Sequence, residues 1–390
     1  MTGTGVEDLT VVRDHTAVLR EVTLQAAEGE LMVVLGPSGS GKTTLLRVIA
    51  GLEQPSSGEV VIRGRQVTGL PPGRRRVAMV FESSALLPFL DVAHNLGSGL
   101  RTQRLPEAEV QHRVSGRARQ LRLSRLLSRR PGELSQGQRG LVGLGRALVQ
   151  TPDVLLLDEA LAGLDAAERA GLRRQVVEVI RSLGIPAFYV THDQAEGMAV
   201  ADRVALLCQG SVVQVGRPME LYERPVDLTA AGIVGTPPIG LLSARLVVAD
   251  GLAGFEVGTR TLPLWRPVPP PLRDHVGRMV VLGLRAEDVP DAATSRGTGS
   301  VALDAVVTAV EYTGRQNVVT VAVGAPPVTA PGIGSSAGDP SAATLRSFFP
   351  RGAVLRRGDA VRVALEAADA HVFDAVTGRA LWHPQDARDG

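Results

Sequence analysis

Residues 36–43 read Gly36-Pro37-Ser38-Gly39-Ser40-Gly41-Lys42-Thr43, the spacing G-x-x-x-x-G-K-[ST]. The sequence on either side limits what this stretch can become. Leu31-Met32-Val33-Val34-Leu35 is a short continuous apolar run, the pattern of a strand buried on both faces. Behind the loop, Leu45, Ile49 and Leu52 recur at helical spacing, and Gly51 stands where a helix would stop. Strand, glycine loop and helix in that order make an anion site. The loop turns backbone N–H groups inward, and the helix N-terminus adds partial positive charge. Lys42 supplies a point charge for β- and γ-phosphates, and the Thr43 hydroxyl can ligate Mg²⁺.

Lys42 is the only lysine in 390 residues; every other basic side chain, histidine aside, is arginine. A compact ammonium fits inside such a loop where a planar fork does not. The alternative, a solvated lysine on a glycine-rich turn, does not account for the flanking strand and helix. Composition adds mostly exclusions. Apolar content of 44% and charged content of 21% are those of a globular protein, and the length allows two or three domains. A net charge of +2 gives no reason to expect nucleic acid. A single cysteine, Cys208, leaves no internal disulfide and agrees with a reducing compartment. The first residues lack the basic and apolar segments of a signal peptide. No stretch approaches the ~18 consecutive apolar residues of a membrane span.

Along the chain, residues 6–12 and 17–24 alternate as an antiparallel pair, and 59–63 and 77–81 read as strands. Residues 91–130 are rich in Leu, Arg and Glu at helical spacing and form a helical insertion. Its arginines suit solvated helix faces better than a lipid surface. Ser135 and Gln138 have capping-box spacing, so a helix starts there, with Leu141, Leu144 and Leu148 on its inner face. Val154-Leu155-Leu156-Leu157 is a further buried strand, and Asp158-Glu159 closes it. Acidic residues at the carboxyl end of a parallel strand lie where ligands bind. The first can hold Mg²⁺ and the second can orient water. Asp165 opens another helix, with Leu172, Val176, Val179 and Leu183 on its inner face. The strand Ala187-Phe188-Tyr189-Val190 then delivers His192 to the same edge, in reach of a γ-phosphate.

This ordered set resembles the ATP-binding cassette (ABC) ATPases. Walker A is 36–43, the signature segment 134–138, Walker B 154–159, and a D-loop Asp165 and switch His192 follow. The resemblance implies a P-loop α/β fold, a mostly parallel sheet with a helical subdomain at about 88–152. It also implies a head-to-tail homodimer, with ATP and Mg²⁺ between the Walker A of one subunit and the signature of the other. Residues 36–44, ending in Thr44, would then hold nucleotide together with Arg13, Ser135, Gly137, Gln138 and Asp165. Glu159 would polarise the attacking water, His192 would contact the γ-phosphate, and Thr43 and Asp158 would serve Mg²⁺.

Residues 243–390 change to short alternating strands with many Pro and Gly. Val281-Leu282-Gly283-Leu284-Arg285-Ala286-Glu287-Asp288 and His371-Val372-Phe373-Asp374 look like the all-β, OB-like tail of importer ATPases, above all the maltose-type group. That places the domains at 1–238 and 239–390, with a flexible loop at 324–343. Four residues depart from the family. Arg13 replaces the usual aromatic, though a guanidinium also stacks on a base. Glu82 replaces the usual Gln. A carboxylate there would repel a phosphate by up to about 4 kcal/mol at ~4 Å and an effective dielectric of ~20. Mg²⁺ would offset this, which makes Glu82 a candidate for catalysis and for the metal. Gln136 replaces a signature glycine, and Ala160 stands where many importers have proline.

The expected protein is therefore the ATPase of an ABC importer at the cytoplasmic face of the membrane. It would bind two transmembrane permease subunits and act indirectly with an extracytoplasmic solute-binding protein. Carbohydrate or a related solute is the expected cargo, with polyamine or iron as the alternative. A different class, an ATP-responsive regulatory module with little turnover, is kept open by Glu82 and Gln136. Lys42, Asp158, Glu159 and His192 together count against it.

Overall fold

The computed structural model describes residues 3–81, 86–160, 166–295, 299–314, 316–328 and 342–388. The chain divides into two compact units, Met1–Pro218 and Met219–Gly390.

In the first unit, β1 (Thr4–Arg13) and β2 (Thr16–Ala26) form the expected antiparallel pair. After β3 (Leu31–Leu35) and α1 (Lys42–Ala50), β4 (Ser57–Ile62) and β5 (Arg65–Gln66) extend that pair into a sheet of order β2-β1-β4-β5. There follow β6 (Val77–Phe81), α2 (Val92–Thr102), α3 (Glu107–Gln120), α4 (Gln136–Leu148), β7 (Val154–Asp158), α5 (Ala166–Leu183), β8 (Ala187–Val190), α6 (Gln194–Val200), β9 (Arg203–Cys208) and β10 (Ser211–Gly216). The second sheet runs β10-β9-β3-β8-β7-β6, parallel except at β10.

The helix α1 packs between the two sheets. Leu45, Leu46, Val48 and Ile49 share one core with Leu9 and Leu19 of the first sheet and Met32, Val34, Leu156 and Phe188 of the second. Being covered on both sides, α1 buries seven of its nine residues, with Leu45, Leu46, Val48, Ile49 and Ala50 as its apolar part. It stops at Gly51, in the left-handed region at φ 77. Leu52, expected on the inner stripe, therefore lies past the helix end and is exposed. Arg75, itself buried, donates to the carbonyls of Val48 (2.7 Å) and Ile49 (3.1 Å) and so caps the negative end of α1. Burial lowers its pKa. Helices α2, α3 and α4 pack on one another as the expected insertion. Within it, Leu141, Leu144 and Leu148 are buried.

The second unit begins with α7 (Pro218–Glu223) and α8 (Leu228–Ile233). Its strands are β11 (Gly240–Ala249), β12 (Leu252–Val257), β13 (Arg260–Pro263), β14 (Met279–Leu284), β15 (Val301–Tyr312), β16 (Asn317–Val323), β17 (Ala343–Phe349), β18 (Ala360–Leu365), β19 (His371–Asp374) and β20 (Ala380–Trp382), and α9 (Pro384–Arg388) closes it. They make two antiparallel sheets, β13-β12-β11-β14-β19-β20 and β17-β16-β15-β18, around one core that includes Phe255, Leu282, Val321, Leu345 and Trp382. This is the all-β domain expected from the alternating pattern. Residues 219–238 group with it, whereas the sequence reading places them in the first domain. Arg285 shows why. Buried beneath Tyr222, 4.1 Å from its ring centroid, it donates to the carbonyls of Tyr222, Ala231 and Val234. Among the described residues, no helix is long and apolar enough to cross a membrane.

Candidate active site

Parallel pairing brings the loop and the acidic pair together. Val34 pairs with Val190, Val190 with Asp158, and Asp158 with Phe81. These four residues form one row across the carboxyl edge of the sheet. The residues after them carry the candidate chemistry: the 36–43 loop after β3, Glu159 after β7 and His192 after β8. Glu82 follows Phe81, but Glu82 and Asp165 lie outside the described residues.

The loop folds back on the sheet so tightly that two of its glycines have no room for a side chain. A Cβ at Gly36 would stand 1.9 Å from the Leu207 carbonyl oxygen. Gly41, at φ 102, would press a Cβ to 2.6 Å from Leu19. Gly41 is also the residue before α1 and offers no side chain to cap it. The N–H groups of the first turn, at Lys42, Thr43 and Thr44, have no intrahelical acceptors, which makes this helix end suited to an anion. The Ser40 hydroxyl is buried and, among the described residues, has no hydrogen-bond partner. It is a polar group for which a bound phosphate would supply the acceptor.

Lys42 is buried and donates from Nζ to the carbonyls of Gly36 (2.9 Å) and Pro37 (2.8 Å). Burial lowers its pKa, while Glu159 and Asp158 act the other way. The Thr43 hydroxyl donates to Asp158 Oδ1 at 3.2 Å. A neutral hydroxyl oxygen and a carboxylate oxygen side by side are the hard donors that Mg²⁺ takes. Glu159 has a left-handed backbone, φ 49, held by its N–H donating to the Val190 carbonyl at 2.9 Å. Its Oε2 lies 3.0 Å from His192 Nδ1. With the proton on Nδ1 the imidazole donates to Glu159, and Nε2 is left for a second partner.

Arg13, expected to stack on a base, is held in a two-pronged ion pair with Glu53: Nε lies 2.8 Å from Oε1, and the other nitrogen contacts Oε2. The pair fixes the guanidinium plane while leaving the side chain nearly half exposed. Its pKa is raised by that hydrogen bond. Ser135 caps α4 as its spacing predicts. Its hydroxyl accepts from the Gln138 N–H at 3.3 Å, and the Gln138 side chain accepts from the Ser135 N–H at 3.0 Å. Gly137 is buried in the first turn. Among the described residues, no hydrogen bond joins this segment to the loop of its own chain.

One supporting pair was not legible in sequence. Tyr189 donates to the buried Glu196 carboxylate, which ties β8 to α6 across His192, and burial pushes the tyrosine pKa up. No motif relates an aromatic on a strand to an acid seven residues later.

Residues 19–162 match the family model described as ABC transporter. The chain is 39% identical to the trehalose/maltose import ATP-binding protein MalK of Thermococcus litoralis, over 98% of this chain and all of that protein. It is 40% identical to the sn-glycerol-3-phosphate import ATP-binding protein UgpC of Cereibacter sphaeroides, over 93% of this chain and 95% of that one. The chain belongs to the ABC transporter family. Among solved structures, cbiO1 from Clostridium perfringens, part of the ABC transporter complex cbiONQ, matches with a TM-score of 0.53 and 29% identity. That match covers 56% of this chain and 90% of that one. The protein is thus an ABC-type ATPase, and the loop, Asp158, Glu159 and His192 occupy one edge of its cassette.

Proposed function

We propose that this ABC ATPase powers a carbohydrate importer, as one of two cassettes bound beneath a pair of transmembrane permease subunits. The reading rests on the edge row Val34, Val190, Asp158 and Phe81, which gathers cradle, acid and switch histidine. Two relatives aligned over nearly the whole chain are named for import of trehalose/maltose and of sn-glycerol-3-phosphate, which supports a sugar or sugar-derived cargo.

Within the site, the N–H groups of α1 and the ammonium of Lys42 bind the phosphates, and Arg13 offers its face to the base. Thr43 and Asp158 would hold Mg²⁺, which would neutralise charge on the phosphate oxygens. Glu159 accepts a hydrogen from the attacking water, and His192 contacts the γ-phosphate. Ser135, Gly137 and Gln138 reach the nucleotide of a second copy from the N-terminus of α4; Asp165, the other nucleotide contact that the family resemblance implies, lies outside the described residues. Glu82 stands next to this edge in sequence and tunes turnover. Glu82→Gln should keep ATP affinity within about tenfold, ~1.4 kcal/mol, while changing the rate. The solute-binding protein acts through the permease.

The test is Mg-ATP hydrolysis as a function of protein concentration, with and without co-expressed permease. Turnover that rises faster than linearly with concentration supports a paired site. Silence with and without permease, ATP still bound, would instead favour the regulatory module.

A further inference from the structure

Residues 110–132 contain seven arginines and no carboxylate, in a chain whose net charge is +2. The structure sorts these arginines into two groups. Arg113 pairs with Glu109, and Arg117 reaches Gln120 and the Leu148 carbonyl. Arg119, Arg122, Arg125, Arg129 and Arg130 are exposed, and among the described residues none of these five forms an ion pair.

Helix chemistry accounts for only one of the five. Arg119 lies in the last turn of α3, where a cation meets the negative end of the helix. The other four follow the helix, on a segment anchored by buried Leu121 and Leu123. A solvated face ordinarily mixes both signs, whereas crowded like charges repel. A polyanionic partner removes that repulsion.

The surroundings limit the partner. Between these arginines the exposed residues are Ser124 and Ser128, so no apolar anchor marks a protein hot spot. No Phe, Tyr or Trp occurs in 110–132 on which a base could stack, and the one imidazole, His112, precedes all five of these arginines. Guanidinium forks bind phosphate oxygens two at a time. We propose that this face of the helical insertion binds the phosphate headgroups of an anionic phospholipid surface. Choosing a membrane among polyanions rests on the importer reading, which sets the chain against one.

The experiment is co-sedimentation of the full chain, without permease, with phosphatidylcholine vesicles with or without phosphatidylglycerol. Each basic residue at such a surface strengthens binding roughly fivefold. The triple variant Arg122→Gln, Arg125→Gln, Arg129→Gln should therefore bind phosphatidylglycerol vesicles about a hundredfold more weakly. A control triple, Arg351→Gln, Arg356→Gln, Arg357→Gln, removes three exposed arginines of the β unit and should bind as wild type. Binding should weaken with salt and be absent on pure phosphatidylcholine. Equal loss in both triples, equal binding to both vesicles, or tighter binding of a duplex oligonucleotide through the same arginines would each overturn the proposal. ATP hydrolysis and permease co-purification on the same preparations report separately on the importer reading.

Discussion

His192 Nδ1 stands 3.0 Å from Glu159 Oε2, each residue just beyond one of two adjacent parallel strands. Glu159 pays for its place with a left-handed backbone at φ 49, a strain of order 1–2 kcal/mol for a residue with a Cβ. The strain is consistent with a position kept for chemistry. Glu159→Gln removes the base while preserving shape, so turnover should fall by at least about a hundredfold. ATP binding should persist, and the stalled variant should accumulate as an ATP-bound dimer by light scattering. Because the two side chains touch, Glu159→Gln and His192→Ala together should lose less than the product of the single losses. A fully multiplicative loss would mean that they act apart.

Lys42 fills its space. With its ammonium donating to Gly36 and Pro37 and its side chain buried, the loop has no room for a guanidinium fork. Lys42→Arg should weaken ATP binding by tenfold or more, about 1.4 kcal/mol, as read by nucleotide titration. Amine reagents provide a second readout, because Lys42 and the N-terminal amine are the only primary amines in the chain. Mass spectrometry should show Lys42 labelling suppressed by ATP and unchanged by AMP at the same concentration.

Arg13 presents a planar face because Glu53 holds its fork from one edge. Stacking of a base on such a surface contributes ~1–3 kcal/mol. Arg13→Ala should raise the Kd for ATP by roughly fivefold to a hundredfold and leave the Kd for inorganic triphosphate unchanged. Arg13→Trp should restore ATP affinity. A parallel loss for triphosphate would place Arg13 on the phosphates instead.

The edge of the sheet was readable because each of its residues follows a buried apolar run, and parallel pairing leaves few ways to arrange such runs. The helix at 135 was readable because its cap is local: Ser135 and Gln138 satisfy each other three residues apart. What escaped depends on contacts distant in sequence. Arg75 stands in the run Arg74-Arg75-Arg76, where nothing local sets it apart, and only tertiary structure shows it capping α1 from 25 or more residues away. The partition of residues 219–238 likewise follows from Arg285, some fifty residues downstream. Arg13 stands out in sequence against the resemblance, but nothing in sequence ties it to Glu53.

His371 provides a pH signature separate from the nucleotide chemistry. It is buried on β19 with Nδ1 3.0 Å from Nδ1 of His383, so one ring must donate and the other accept. Burial first, then Arg285 and His383, push its pKa down to about 3. His383 is lowered as well, chiefly by burial. Between pH ~6.5 and 3 the unfolded chain therefore holds protons that the folded chain lacks, and stability must fall as pH falls through that window. One such group gives a slope of up to about 1.4 kcal/mol per pH unit. Asp374, held down to about 2 by hydrogen bonds from Thr377, adds its loss only below pH ~4. The buried Trp382, beside His383 in the chain, can report unfolding by fluorescence in urea. Its midpoint should drop steadily from pH 6.5 to 4.5, and His371→Asn should flatten that slope even if the variant is less stable at pH 7. An unchanged slope in the variant would assign the acid sensitivity to other groups.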